Sequence, residues 1–188
     1  FNCRLYLTLC MDPVVKLLSI GALLVQTSII SVLGLYLLSR AGFETFLWVK
    51  IQDFLSNYWK QISFALALVA TSGSLYMSNV LGYTPCHLCW LQRIIMYPLV
   101  LLFGISWLLN TDVVEYAVPL STIGGGIAGY HYIIQRLEQF QSAGCSVTSV
   151  SCETEYTFYM GIVTIPFMAF TAFLGILLVN WRYGESKI

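Results

Sequence analysis

Cys86-His87-Leu88-Cys89 places two thiols three residues apart, directly after Pro85 and at the head of a long apolar run. Cysteines at this spacing at a helix start can reach one another, and the positive end of the helix dipole favours a thiolate over a thiol. Such a pair can cycle between dithiol and disulfide. Arg93 follows Cys89 by four residues. Positions i, i+3 and i+4 share a helix face, so Cys86, Cys89 and Arg93 are expected along one stripe that runs from the surface inward. An arginine inside an apolar helix either snorkels to the lipid headgroups or marks a ligand or ion pathway. One turn below a cysteine, a fixed positive charge stabilises both a thiolate and a reduced, anionic electron acceptor, which favours the second.

A further pair, Cys145 and Cys152, lies in a polar segment with Gly144 before it and Ser146, Thr148, Ser149 and Ser151 within it. Taken alone it reads as a structural staple. Beside the first pair it can also exchange disulfides by thiolate attack, the loop pair meeting soluble protein and the helix pair meeting the bilayer. A zinc site built from these four cysteines is the competing chemistry. The wide second spacing does not resemble a zinc knuckle, and zinc leaves Arg93 without a role. His131 either is satisfied by helix packing or faces the same cavity as Arg93, and the sequence leaves both open. Cys3 and Cys10 precede Met11 in a segment that reads as upstream of the true start, and they are given no role.

The elements that must position these groups follow from composition. The chain is 58% hydrophobic and 10% charged over 188 residues, which is too apolar for an ordinary soluble domain. Nine basic and nine acidic residues cancel, and no basic cluster suggests nucleic acid. Charges punctuate five uncharged runs, each long enough to span, a helix needing ~20 apolar residues to cross the hydrocarbon core. Spans are expected at 17–39, 62–82, 90–109, 116–135 and 158–180. The first is longer than the apolar core of a secretory signal and reads as an uncleaved anchor. Residues 40–61 alternate Phe46, Leu47, Trp48, Ile51, Phe54, Leu55, Tyr58 and Trp59 with Glu44, Lys50, Asp53 and Lys60, as suits a helix lying in the interface.

The expected fold is therefore an all-α membrane protein. It has an antiparallel four-helix transmembrane bundle over 62–182, joined by short loops, with an additional N-terminal transmembrane helix and an interfacial amphipathic linker over 1–61. Residues 183–188 form a cytoplasmic tail. Gly125 and Gly129 make a G-x-x-x-G for close helix approach, and Pro98 and Pro166 fall inside spans. Lys and Arg are biased toward the side carrying Arg40, Lys50, Lys60, Arg182 and Lys187, against Arg4, Lys16, Arg93 and Arg136. That side is read as cytoplasmic, which places both cysteine pairs outside, where disulfides persist.

Together, Cys86-x-x-Cys89 opening the second bundle helix, Arg93 four residues on, His131 in the next helix and the loop pair Cys145 and Cys152 resemble the DsbB and BdbC quinone-linked disulfide oxidases. The resemblance covers roughly 60–182, and the short gap in the loop pair is closer to the compact BdbC type. It implies that a reduced thioredoxin-like (DsbA- or BdbD-like) extracytoplasmic protein attacks the Cys145–Cys152 disulfide at Cys145. Cys152 then exchanges with Cys86, and Cys89 delivers the electron pair to a quinone, ubiquinone or menaquinone, held near Arg93 and His131. The vitamin K epoxide reductase type also couples two cysteine pairs to a quinone, but there the loop pair precedes the C-x-x-C. The extra anchor and interfacial segment depart from the four-helix core of the family. Two other classes remain beside the oxidase: a non-enzymatic subunit whose disulfides brace outer loops, and a transporter, for which Arg93 and His131 are too few ionisable groups.

Overall fold

The computed structural model describes residues 12–41, 46–136 and 162–183, and among these the chain is helical with five long helices. The pair Cys145 and Cys152, together with Cys3, Cys10, the start of the last expected span and the tail at 184–188, lies outside the described residues.

Helix α1 spans Pro13–Arg40. Asp12 caps it by accepting a hydrogen bond from the Val14 N–H at 2.9 Å, and Pro13 sits at the first turn, where its missing N–H leaves no partner wanting. Helix α2 spans Phe46–Asn79. It covers the amphipathic segment and the second expected span, two helical stretches joined by a kink where Tyr58 departs from helical geometry (φ −116°, ψ 15°). No proline or glycine occurs between Phe46 and Ser72, so the kink has no sequence signal of the usual kind. Trp59 is buried just past the bend, and Lys60 donates to Asn110 Oδ1 at 3.0 Å and to the Thr111 carbonyl at 2.9 Å, fixing the bend to the next turn.

Gly82, at φ +70°, lets the chain leave α2 in a left-handed turn that other residues adopt poorly. Helix α3 then spans His87–Leu109 and ends at Asn110, also left-handed (φ 52°), as asparagine tolerates. Helix α4 spans Val114–Arg136 and helix α5 spans Ile165–Tyr183. Pro98 lies inside α3 as expected, whereas Pro166 is the second residue of α5, a position that needs no kink.

Helices α2, α3, α4 and α5 touch in cyclic order, α5 returning to α2, and α1 lies against α2 and α5. The centre holds Leu99, Phe103, Phe173 and Ile176, all fully buried. A buried polar tie crosses it, with Asn180 Nδ2 donating to Ser63 Oγ at 2.8 Å. The outward faces carry large apolar side chains such as Leu24, Leu37, Leu101 and Leu108, a surface suited to lipid. Among the described residues α1, α3 and Ile165–Arg182 of α5 are long and apolar enough to cross a membrane. Helices α2 and α4 carry more serine, glycine and charge, which dilutes their apolar character.

The tightest helix contact is one residue from the predicted G-x-x-x-G. A Cβ on Gly124 would run into the Phe173 ring, whereas Gly125 and Gly129 stand at ordinary contact distance, 3.6 Å and 3.5 Å, from Phe173 and Phe170. Gly124→Val is expected to destabilise the protein by roughly 1–3 kcal/mol, since Phe173 has no room to retreat. Gly126→Ala, whose Cβ meets nothing within 4 Å, is the neutral comparison. Thermal unfolding of both in one detergent checks this.

Candidate active site

Cys86 is the N-cap of α3, with extended backbone (φ −73°, ψ 173°) directly after Pro85. This places its sulfur over the first helical turn, where the Cys86 thiol donates toward Cys89 Sγ at 3.2 Å. The two sulfurs are not joined in a disulfide, and Cys86 is buried while Cys89 is partly open. A disulfide needs ~2.05 Å between sulfurs, so a movement of about 1 Å interconverts the two states.

His131 comes from the C-terminal half of α4 and is buried. Its Nε2 stands 3.7 Å from Cys86 Sγ, and its Nδ1 is 3.1 Å from Gln92 Nε2 on α3. An amide nitrogen on Nδ1 makes Nδ1 the acceptor and leaves the ring proton on Nε2, facing the sulfur; a turned amide supports the opposite tautomer. Gln92 can therefore serve the imidazole in either form. Arg93 turns to α2, donating from Nε to Ser74 Oγ at 2.9 Å and from Nη2 to the Ser74 carbonyl at 3.0 Å. Its guanidinium also lies 5.6 Å from the centre of the Trp90 ring. The arginine is thus tied across to a neighbouring helix.

All four of these groups, Cys86, Cys89, Arg93 and His131, line one cavity of about 450 Å³. That is within the usual range for small-molecule sites, about 300–1,000 Å³. Gln92, Tyr97 and Thr164 line it too. The Tyr97 hydroxyl and Thr164 Oγ1 are buried without a hydrogen-bond partner among the described residues. Sequence reasoning missed these and Ser74. Gln92 was within reach of the rule that found Arg93, being three residues after Cys89, whereas nothing distinguishes Ser74 from the other serines of α2.

Cys86, just outside the α3 span, does not follow the simple dipole expectation. Its thiol is pushed up to about 11, first by the hydrogen bond with Cys89 and then by burial, while the contact with His131 pulls the other way. In the reduced protein Cys86 is therefore a protonated thiol at neutral pH, and its alkylation should quicken with each pH unit up to that value. Cys89→Ala removes the largest raising influence and should shift the profile to lower pH. His131→Ala removes the lowering one and should shift it higher. The pH dependence of alkylation in the three reduced proteins checks both signs.

Donor atoms of Cys86, Cys89 and His131 lie within 4.8 Å of one another, close enough for a metal to take all three. The zinc alternative thus acquires a histidine in place of the loop cysteines, which lie outside the described residues.

Comparison with known proteins places this site in a family. Residues 57–182 match the model of the disulfide bond formation protein DsbB. The probable disulfide formation protein C of Halalkalibacterium halodurans is 46% identical over 139 residues, 73% of this chain and 98% of that protein. Disulfide bond formation protein C of Bacillus subtilis is 42% identical over 117 residues, 62% of this chain and 85% of its own length. The probable disulfide formation protein C 1 of Bacillus anthracis is 41% identical over 123 residues, 64% and 88% of the two chains. No solved structure matches. The matched residues contain the C-x-x-C pair, the histidine above it and the cavity walls of α2 to α5, and the chain belongs to the DsbB family of membrane disulfide bond formation proteins.

Proposed function

We propose that this protein reoxidises an extracytoplasmic thioredoxin-like protein and passes the electrons to a membrane quinone. The observation that carries the reading is the single cavity that joins a close dithiol, a histidine and an arginine to a wall of membrane-type helices. In this reading α2 to α5 cross the membrane as an antiparallel four-helix bundle, α1 is a fifth crossing, and the cysteines face outward. The charge bias of the loops supports that orientation.

The partner's thiolate attacks the Cys145–Cys152 disulfide, forming a mixed disulfide at Cys145, and the partner's second thiol releases it oxidised. Cys152 then attacks the Cys86–Cys89 disulfide at Cys86, and Cys145 closes the loop disulfide again, leaving Cys86 and Cys89 reduced. These loop steps follow from family resemblance. A quinone bound in the cavity supplies an acceptor for two electrons and two protons. Its ring would be held beside Cys89 by Arg93, with the Tyr97 and Thr164 hydroxyls available to its oxygens, and those otherwise unsatisfied buried groups are what make the cavity fit such a molecule. Arg93 places positive charge where negative charge develops. Cys86 keeps its proton while Cys89 acts, and His131, between Cys86 and Gln92, is positioned to accept that proton when the disulfide re-forms.

The test is turnover in reconstituted membranes. A reduced thioredoxin-like protein should be oxidised at one quinone reduced per disulfide made, and oxidation that continues at the same rate without quinone refutes the reading. The three-donor cluster supports a second reading, a structural zinc site. Purified protein holding stoichiometric zinc, with both thiols inert to oxidised quinone, would favour that instead.

A further inference from the structure

The cavity extends far beyond the redox groups. On α2 its lining runs from Met77, level with the cysteines, back to Ala65, roughly 18 Å at 1.5 Å per residue. A quinone ring needs only the first part. The deep part is walled by Ala22 and Val25 of α1, Ala65, Leu66 and Val69 of α2, and Ala172 of α5. One hydroxyl there, that of Thr171, is already bonded to the Phe167 carbonyl at 2.9 Å.

Helix α1, Pro13–Arg40, lies wholly outside residues 57–182, the segment that matches the family. Yet it is seated on the cavity by specific contacts. Leu18 packs into the space left by the absent side chain of Gly73, where a Cβ would stand 2.8 Å from Leu18 Cδ1. Asp12 accepts from the Tyr76 hydroxyl at 3.3 Å, and the Gln26 side-chain amide lies 3.4 Å from Thr171 Oγ1. Leu17, Leu18, Gly21, Ala22 and Val25 then face the cavity in sequence along one side of the helix. Gly21 and Ala22 put small residues at the middle of this cavity face, while Leu24, Ile30 and Leu33 are exposed.

We infer that α1 forms a fifth wall of the acceptor site and that the deep apolar end between α1, α2 and α5 holds the isoprenoid tail of the quinone. This rests on the quinone reading above. It makes α1 a determinant of tail selectivity, with the redox chemistry left to α3 and α4.

Gly21 supplies the test, because a Cβ added there meets no protein atom within 4 Å and so enters open space. Gly21→Leu should occupy the tail end without disturbing the helix packing, with Ala22→Phe as a second filling variant. Gly34→Leu, on an exposed part of α1 away from the cavity, is the control. Binding is read in lipid nanodiscs by quenching of tryptophan fluorescence, Trp90 lying against Arg93, with two probes: a polyprenyl benzoquinone and the same ring without its tail. Gly21→Leu and Ala22→Phe should weaken the tailed probe about tenfold and leave the tail-free ring within about twofold, because only lost tail contacts change. Gly34→Leu should change neither. Equal loss of both probes in both variants, or no loss of the tailed one, overturns the role of α1 while leaving the quinone reading standing. If the wild-type protein binds neither probe, the quinone reading fails and this inference with it.

Discussion

Cys89→Ser protein should reconstitute with its helices intact yet lose quinone-dependent oxidation of a thioredoxin-like partner by at least about three orders of magnitude, because the group that must carry the electron pair is gone. Cys89 is the more open of the two thiols, and its sulfur accepts the Cys86 hydrogen bond at 3.2 Å. Serine preserves volume and that hydrogen bond but cannot form a disulfide. Cys86→Ser should abolish turnover equally, since the pair acts as a unit, but it differs in one respect. With Cys86 gone, Cys89 remains beside the cavity and can still be alkylated, whereas Cys89→Ser leaves of this pair only the buried Cys86 thiol, which reacts slowly at neutral pH. Turnover retained in both variants sinks the mechanism.

The second large effect concerns Arg93. Arg93→Gln should raise the KM for quinone by roughly ten- to a hundredfold, the equivalent of losing a charge-assisted hydrogen bond, and leave the KM for the protein partner unchanged. The guanidinium is positioned from α2 by two hydrogen bonds to Ser74, so Ser74→Ala keeps the charge but loosens its placement. Its effect should be smaller and in the same direction. Steady-state rates with quinone and partner varied separately distinguish the two constants. An equal rise in both, or a fall in kcat alone, would mean that Arg93 serves the fold or the loop exchange instead of the acceptor.

Much of the site was legible because its chemistry is local. Cys86, Cys89 and Arg93 lie within eight positions on one helix, so spacing alone predicts a shared face, and all three line the same cavity. His131 is 45 residues from Cys86, and only the packing of α4 against α3 decides that its imidazole meets the sulfur. The thiol's behaviour was misjudged for a related reason. The helix dipole is visible in sequence, but the hydrogen bond that Cys86 donates to Cys89 and the burial of its sulfur, which together raise the thiol, depend on the folded site. Helix α1 reads as an anchor from composition, and nothing in its pattern says that Gly21 and Ala22 border a cavity formed by α2 and α5. The kink at Tyr58 was likewise invisible, since no proline or glycine marks it, although the amphipathic and apolar segments on either side of it were legible.

The most direct measurement of the central claim is the redox state of each cysteine pair in membrane-reconstituted protein mixed with a reduced thioredoxin-like protein. Samples taken with and without quinone are quenched in acid and labelled at free thiols. Without quinone, Cys86 and Cys89 should accumulate as thiols together with Cys145 and Cys152; added quinone should return both pairs to disulfides within the turnover time. Cys86 and Cys89 staying in one state under both conditions, while the partner is still oxidised, would contradict the account.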